Sequence, residues 1–401
     1  MKFNAKTPVF YLLCLLLIFL PLSSWLISLT GIASLTLIRD ALIGLIFVLA
    51  LINPNCQKFD KRILRLVSLF IAWGVVSYFW REASAMQWLK GFRFTFLPLF
   101  FFLAVWNFDF NSGQKNIIYK LIFGGAIVIF VLALLSLFGV NVPMTTAYSG
   151  QGALASVHYV GNSLIPRLQS VLAGPNALGL YLIAIIGLLL GNLKSRKLAL
   201  YLLVPAIIIL VLTFSRSALI GLLIMALVFL FMVLKEKLGA TKSFFIVIMI
   251  SLLITLAGFF AYRSPVLQNY FTHDNSSSLR YEQYQRIWDT KAEIGLFGRG
   301  VGTAGPSSQA RLDGGENHWT ENIYLDIFEE LGFVGLILYL TLIISLIFLT
   351  AKRGRDKSAF LIITTFAVTG IFINYYTGQV GIFLMWLAVA LTLSNKKDTN
   401  E

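Results

Sequence analysis

Almost every stretch of this chain between clusters of charge is long and apolar. Runs of this kind lie near residues 8–30, 34–53, 64–80, 91–108, 117–139, 176–192, 198–213, 217–234, 243–261, 323–350, 358–376 and 378–394. At ~1.5 Å of rise per residue, about 20 apolar residues cross the hydrocarbon of a bilayer as a helix. Lipid offers the backbone no hydrogen-bond partners, so only helices and closed barrels span it, and these runs lack the alternation of a barrel strand. The reading is an all-α integral membrane protein, one polytopic domain over residues 1–401 with about twelve transmembrane helices; the last two runs also read as a re-entrant pair. A composition that is 58% hydrophobic and only 12% charged excludes an ordinary soluble enzyme.

The net charge of +14 would suggest a nucleic-acid partner in a soluble protein. Here it reads as topology, because most of the 32 Lys and Arg residues fall at alternate boundaries of the runs, as at Lys61, Arg62 and Arg65, at Lys194, Arg196 and Lys197, at Lys235 and Lys237, and at Lys352, Arg353 and Arg355. Basic residues gather on the cytoplasmic side of membrane helices, which places both termini inside and makes a nucleic-acid partner unnecessary. The first run continues to about Ile32 without a small-residue cleavage site, so it reads as a retained helix rather than a signal peptide. Cys14 and Cys56 form neither a disulfide framework nor a metal cluster, and no other residues suggest a metal site.

Two long connections then fall outside, near residues 139–175 and 262–321, the second lying between the ninth and tenth helices. Connections of such length in a compact protein usually carry function. The second is rich in aromatics and charges of both signs and has a helical stretch near 279–294, so it is expected to fold as an external cap.

Candidate site residues concentrate on this outer side. Arg216 lies in a very short connection, Thr213-Phe214-Ser215-Arg216, between two apolar runs. It reads either as a guanidinium snorkelling to lipid phosphates or as a permanent charge for a bound phosphate. Arg167 precedes Gly174-Pro175-Asn176, a turn and helix start whose N-terminus would attract an anion. The second long connection supplies Arg280 and Arg286, then Gly295-Leu296-Phe297-Gly298-Arg299-Gly300-Val301-Gly302, whose glycines permit close backbone approach. His318, Glu321, Asn322 and Tyr324 follow, with Asp326, Glu329 and Glu330 entering the tenth run. Carboxylates at membrane depth need partners, and the arginines above are the expected ones.

Four of these segments resemble the O-antigen ligase and polymerase superfamily of bacterial inner-membrane glycosyltransferases. They are Arg167 to Asn176, with its Arg-x-x-Ser and Pro-Asn; Thr213 to Arg216; Arg280 followed by Gly295 to Gly300; and Glu321 to Gly332. The similarity covers roughly residues 160–340. It departs from the family pattern at Gly295, where a proline is usual, and at Glu321, where the ligases carry a histidine. The second departure favours the polysaccharide polymerase branch.

The resemblance implies a GT-C-like architecture and a cofactor-free, metal-independent transfer of glycan from an undecaprenyl diphosphate donor to a sugar hydroxyl. The implied location is the outer face of the bacterial inner membrane. Implied partners are the donor, a glycan acceptor, membrane lipid and a chain-length regulator. In this reading Arg216 and Arg280, with Arg167, Arg286 and Arg299 as weaker candidates, hold the diphosphate. Glu321 or His318 takes the proton from the acceptor hydroxyl, supported by Asn176, Asn322 and Tyr324. An O-antigen ligase, a flippase for the same lipid-linked glycan and a membrane scaffold are the alternatives. The flippase fits less well, since the charged residues cluster near one face instead of lining a path across the membrane.

Overall fold

The computed structural model describes residues 6–52, 60–138, 167–172, 174–192, 197–263, 276–308, 311–315, 318–353 and 357–394. Most of the connection at 139–175 and residues 264–275 of the second connection therefore lie outside the described residues, as does Cys56.

Each apolar run coincides with a helix. In chain order these are α1 (Lys6–Thr30), α2 (Thr36–Leu51), α3 (Lys61–Val76), α4 (Ala85–Trp106), α5 (Ser112–Leu137), α6 (Pro175–Gly191), α7 (Lys197–Leu212), α8 (Arg216–Leu238) and α9 (Ala240–Tyr262). The short helices α10 (Ser276–Asp289), α11 (Lys291–Ile294) and α12 (Gly305–Ser308) fill the second connection, and α13 (Ile323–Arg353), α14 (Ser358–Thr369) and α15 (Gln379–Leu393) complete the bundle. Among the described residues there are no strands, only one isolated bridge between Ala304 and His318. Seven helices, α1, α3, α4, α5, α8, α9 and α13, are long and apolar enough to cross a membrane, and α6, α7, α14 and α15 are shorter apolar helices.

Local chemistry sets the helix starts. Asn111 and Gln114 form a reciprocal capping box on α5. Ser84 accepts from the Gln87 amide at 3.2 Å, and Asp60 caps α3 through the Arg62 amide at 3.0 Å. Pro175 opens α6 in the first turn, where its missing N–H costs nothing.

The core is built on α6 and α15. Both are apolar around their whole circumference and buried nearly throughout, the pattern of a central helix. They pack on each other, α4 covers α15, and α7, α8 and α14 surround α6. Small residues allow the approach: a Cβ on Gly381 would stand 3.0 Å from the Leu180 carbonyl carbon, and one on Gly179 would stand 2.5 Å from Ala218. In contrast α9 is held against α8 at the periphery and presents Phe244, Phe245, Met249 and Phe260 outward.

Two features of the helices were not visible as breaks in the apolar runs. The run at 358–376 ends as helix at Thr369, and residues 370–378 form an irregular connection with a 3₁₀ turn at Tyr375–Thr377. The run at 323–350 is interrupted at Gly332, with φ 67° and ψ −168°. Both departures lie at the same end of the bundle as the second connection. At the other end, Arg353 Nη2 pairs with Asp60 at 3.2 Å and Lys357 pairs with Glu236, gathering the basic ends of α3, α8, α13 and α14.

Candidate active site

The site is organised by the first turns of α13. Asn322 is the cap: its Oδ1 accepts from the amides of Tyr324 at 3.0 Å and Leu325 at 3.3 Å. Glu321 therefore stands just before the helix rather than on its first turn. Thr320, one residue earlier, donates from its hydroxyl to Asp326 Oδ1 at 2.7 Å and from its amide to the same oxygen at 3.1 Å. The amide group of Asn374, in the 370–378 connection, donates to the other oxygen of Asp326. Asp326 is 3% exposed, and it is satisfied by neutral donors instead of the arginine that its membrane position suggested.

The arginines of α10 reach the other carboxylates. Arg280 donates from Nε to Glu321 Oε2 at 2.6 Å, and its Nη2 meets the same oxygen. Arg286 forks onto both oxygens of the fully buried Glu329, at 2.6 and 2.9 Å. His318 Nδ1 lies 2.8 Å from Glu329 Oε1, so one carboxylate orders both a guanidinium and an imidazole. When that nitrogen carries the proton, the lone pair of the neutral ring is on Nε2.

The break at Gly332 receives the glycine-rich segment as a backbone clamp. The carbonyls of Glu329 and Glu330, released from the helix ladder, accept from the Arg299 and Gly300 amides, both at 2.9 Å. The amides of Phe333 and Val334 donate to the carbonyls of Gly295 and Leu296, both at 3.2 Å. Trp73 Nε1 takes the Leu331 carbonyl at 2.9 Å. Every group the break releases at these positions is thus recovered, as a buried backbone requires.

Glu330 adds a side-chain tie, accepting from the Gly302 amide at 2.8 Å. Gln87 of α4 closes the far side, donating to the carbonyls of Gly302 at 2.9 Å and Ser307 at 2.8 Å. Arg299 itself points to Glu293, at 2.9 Å, away from the α10 arginines' partners.

The remaining predicted residues form a second group at the start of α6 and α8. Arg167 Nε donates to the Thr213 carbonyl at 3.1 Å and Nη2 reaches Asn176 Oδ1 at 3.4 Å, while Ser215 donates to that same Asn176 oxygen at 2.8 Å. Ser215 also caps α8 through the Ala218 amide, leaving half-buried Arg216 as the first helical residue. The left-handed backbone at Phe214, φ 49°, makes the sharp turn between α7 and α8. Tyr324 is directed away from both groups, its hydroxyl on the Ala367 carbonyl of α14.

The two groups meet through the 370–378 connection, which the sequence reading left unremarked. Ser217, next to Arg216, donates to the Phe372 carbonyl at 3.0 Å; Tyr284, one turn from Arg280, donates to the Ile371 carbonyl at 3.2 Å; and the Ile323 amide donates to the Gly370 carbonyl at 3.0 Å. Asn374, Thr320 and Gln87 are the residues that sequence inspection missed as structural members of the site. Only Asn374 carried a usable signal, as a lone polar group beside a glycine-containing gap in an apolar run. Among the described residues no group of three or more His, Cys, Asp or Glu side chains is placed to hold a metal ion.

Residues 199–340 match the family model described as O-antigen ligase, which is consistent with the resemblance to the O-antigen ligase and polymerase superfamily. The match takes in Arg216, both α10 arginines, His318, Glu321 and the Gly332 break; Arg167, Asn176 and the 370–378 connection lie outside it. No curated protein matches the chain.

Proposed function

We propose that this membrane protein is a polysaccharide polymerase that transfers glycan from undecaprenyl diphosphate to an acceptor sugar hydroxyl on the outer face of the bacterial inner membrane. The reading takes all twelve apolar runs as spans in a GT-C-like arrangement, with both termini cytoplasmic and residues 262–321 forming an external cap. The O-antigen ligase match supports a polymerase or ligase in general, and Glu321 in the place of the ligases' histidine favours polymerase.

The observation that carries the reaction is the Arg280–Glu321 pair beside the Arg286–Glu329–His318 group. The pair joins the cation that a departing diphosphate needs to the carboxylate that could accept a proton. As the acceptor oxygen forms its bond to the anomeric carbon, the bond to phosphate breaks and the electron pair leaves with the diphosphate. A diphosphate entering at Arg280 competes with Glu321 for the guanidinium and turns the carboxylate toward the acceptor hydroxyl, whose proton it takes. Arg216, across the 370–378 connection, supplies further positive charge to the leaving group. His318, aligned by Glu329, is the competing base. Glu329 fixes the orientation of the ring, in the way a buried carboxylate orients the histidine of a hydrolytic triad.

Purified protein supplied with a lipid-linked repeat unit should produce a ladder of longer lipid-linked products. Transport of the lipid leaves no covalent product, and transfer of finished polymer to a lipid A-core acceptor without any ladder would identify a ligase.

A further inference from the structure

A second group of charges lies where α2, α4 and α15 meet. Arg39 is only 7% exposed. It donates from Nε to Asp40 Oδ1 at 2.8 Å and from Nη1 to Gln379 Oε1, with the Phe383 ring centroid 5.7 Å from its guanidinium carbon. Arg93 of α4 pairs through Nε with the other oxygen of the same Asp40. Two guanidiniums thus share one carboxylate, and the triad carries one net positive charge. Lys90, about one turn before Arg93, lies within electrostatic reach of it.

Such an arrangement is costly between apolar helices unless an anion completes it. The Arg39–Asp40 contact already uses that arginine, while Asp40 engages Arg93 through Nε. The two terminal nitrogens of Arg93 form the planar fork suited to phosphate oxygens. Its side chain is 32% exposed, enough for a ligand to reach it.

The triad is joined to the candidate active site from two directions. Gln379, the partner of Arg39, begins α15 immediately after the connection whose Asn374 holds Asp326. Gln87, less than two turns before Arg93 on α4, holds the Gly302 carbonyl, and the Gly302 amide is held by Glu330. None of these arginines contacts the carboxylates used by Arg280 and Arg286.

We propose that Arg93, positioned by Arg39 and Asp40 and assisted by Lys90, binds the diphosphate of a second lipid-linked glycan, the acceptor, while the α10 arginines hold that of the donor. The proposal rests on the polymerase reading. Joining two lipid-linked glycans requires two diphosphates to be held near one reaction centre, whereas transfer to a diphosphate-free acceptor requires one.

The test is the stoichiometry of radiolabelled undecaprenyl diphosphate bound to the detergent-purified full chain, a measurement independent of turnover. Wild type should bind two lipids per chain. Arg93→Gln and Arg280→Gln should each weaken a different one by at least about 10-fold, the scale of a lost charge-assisted contact, and the double variant should lose both. Arg39→Gln should act as Arg93→Gln does; because Arg39 is buried, the more exposed Arg93 keeps the test independent of folding. One lipid per wild-type chain, or two undiminished in Arg93→Gln, overturns the proposal. Displacement of the second lipid by equimolar phosphatidylglycerol also overturns it, by assigning the triad to ordinary lipid headgroups. If the binding results hold but no ladder of lengthened glycan forms, the polymerase reading fails separately from the second diphosphate site.

Discussion

A Cβ on Gly298 would lie 2.4 Å from the amide nitrogen of Gly332, so these two glycines hold the loop and the broken helix closer than any side chain allows. Both have positive φ, 76° and 67°. Gly298→Ala and Gly332→Ala combine an unfavourable backbone conformation with overlap against main-chain atoms that cannot rotate away. Each is expected to cost at least about 2 kcal/mol and to abolish glycan lengthening. Gly314→Ala is the control: its φ is 72° but nothing lies within 4 Å of the added carbon, so only the conformational cost of about 1 kcal/mol should appear in thermal unfolding.

Asn374→Ala should destabilise the end of the bundle that carries the second long connection by about 1–3 kcal/mol, since it removes a donor from the buried carboxylate of Asp326. Thr320 is held by that same carboxylate and Glu321 follows it directly, so activity should fall further than folding does. The check is to compare initial rates at a temperature where the variant is fully folded. Unchanged rates there would separate Asn374 from the positioning of Glu321.

Arg286→Met leaves Glu329 buried without its fork and should cost about 3–5 kcal/mol. The double variant Arg286→Met with Glu329→Gln removes the uncompensated charge and should regain part of that loss. A double-mutant cycle by thermal unfolding measures the coupling; additive effects would mean that the pair does not stabilise the cap against α13.

His318→Ala and Glu321→Gln assign the proton acceptor. The variant that removes the base should lose ~10²- to 10⁴-fold in rate while donor binding persists. Glu321→Gln keeps shape but weakens the contact to Arg280, so a large rate loss there with intact binding supports Glu321. The same loss in His318→Ala alone transfers the role to the imidazole.

The second long connection also has a defined acid response. The Arg311 guanidinium, with the Ser84 and Gly315 amides, holds the Asp313 carboxyl well below the usual carboxylate range. A depressed value means that its contribution to stability is fully present above the ordinary carboxylate range and is lost as pH falls through the folded-state value. Asp313→Asn should therefore lower the melting temperature by the same amount at pH 6 and pH 8, with the difference closing only in strong acid.

The positions of the membrane helices were legible from residue order because lipid imposes a one-dimensional rule: an apolar run long enough to span has to satisfy its backbone within itself, as a helix. The cations of the site were legible for a related reason, since charge at the edge of such a run is costly and stands out. Their partners were not. Arg280 could be placed in the second long connection and Glu321 near a helix start, but their pairing across the chain, and the choice of Asn374 rather than an arginine for Asp326, depend on how α10, α13 and the 370–378 connection pack. The break in α13 was equally hidden, because Leu331-Gly332-Phe333 is apolar and glycine alone does not end a helix. It persists because the glycine-rich segment supplies hydrogen bonds to the groups it releases, and that compensation exists only when two distant stretches of chain are brought together.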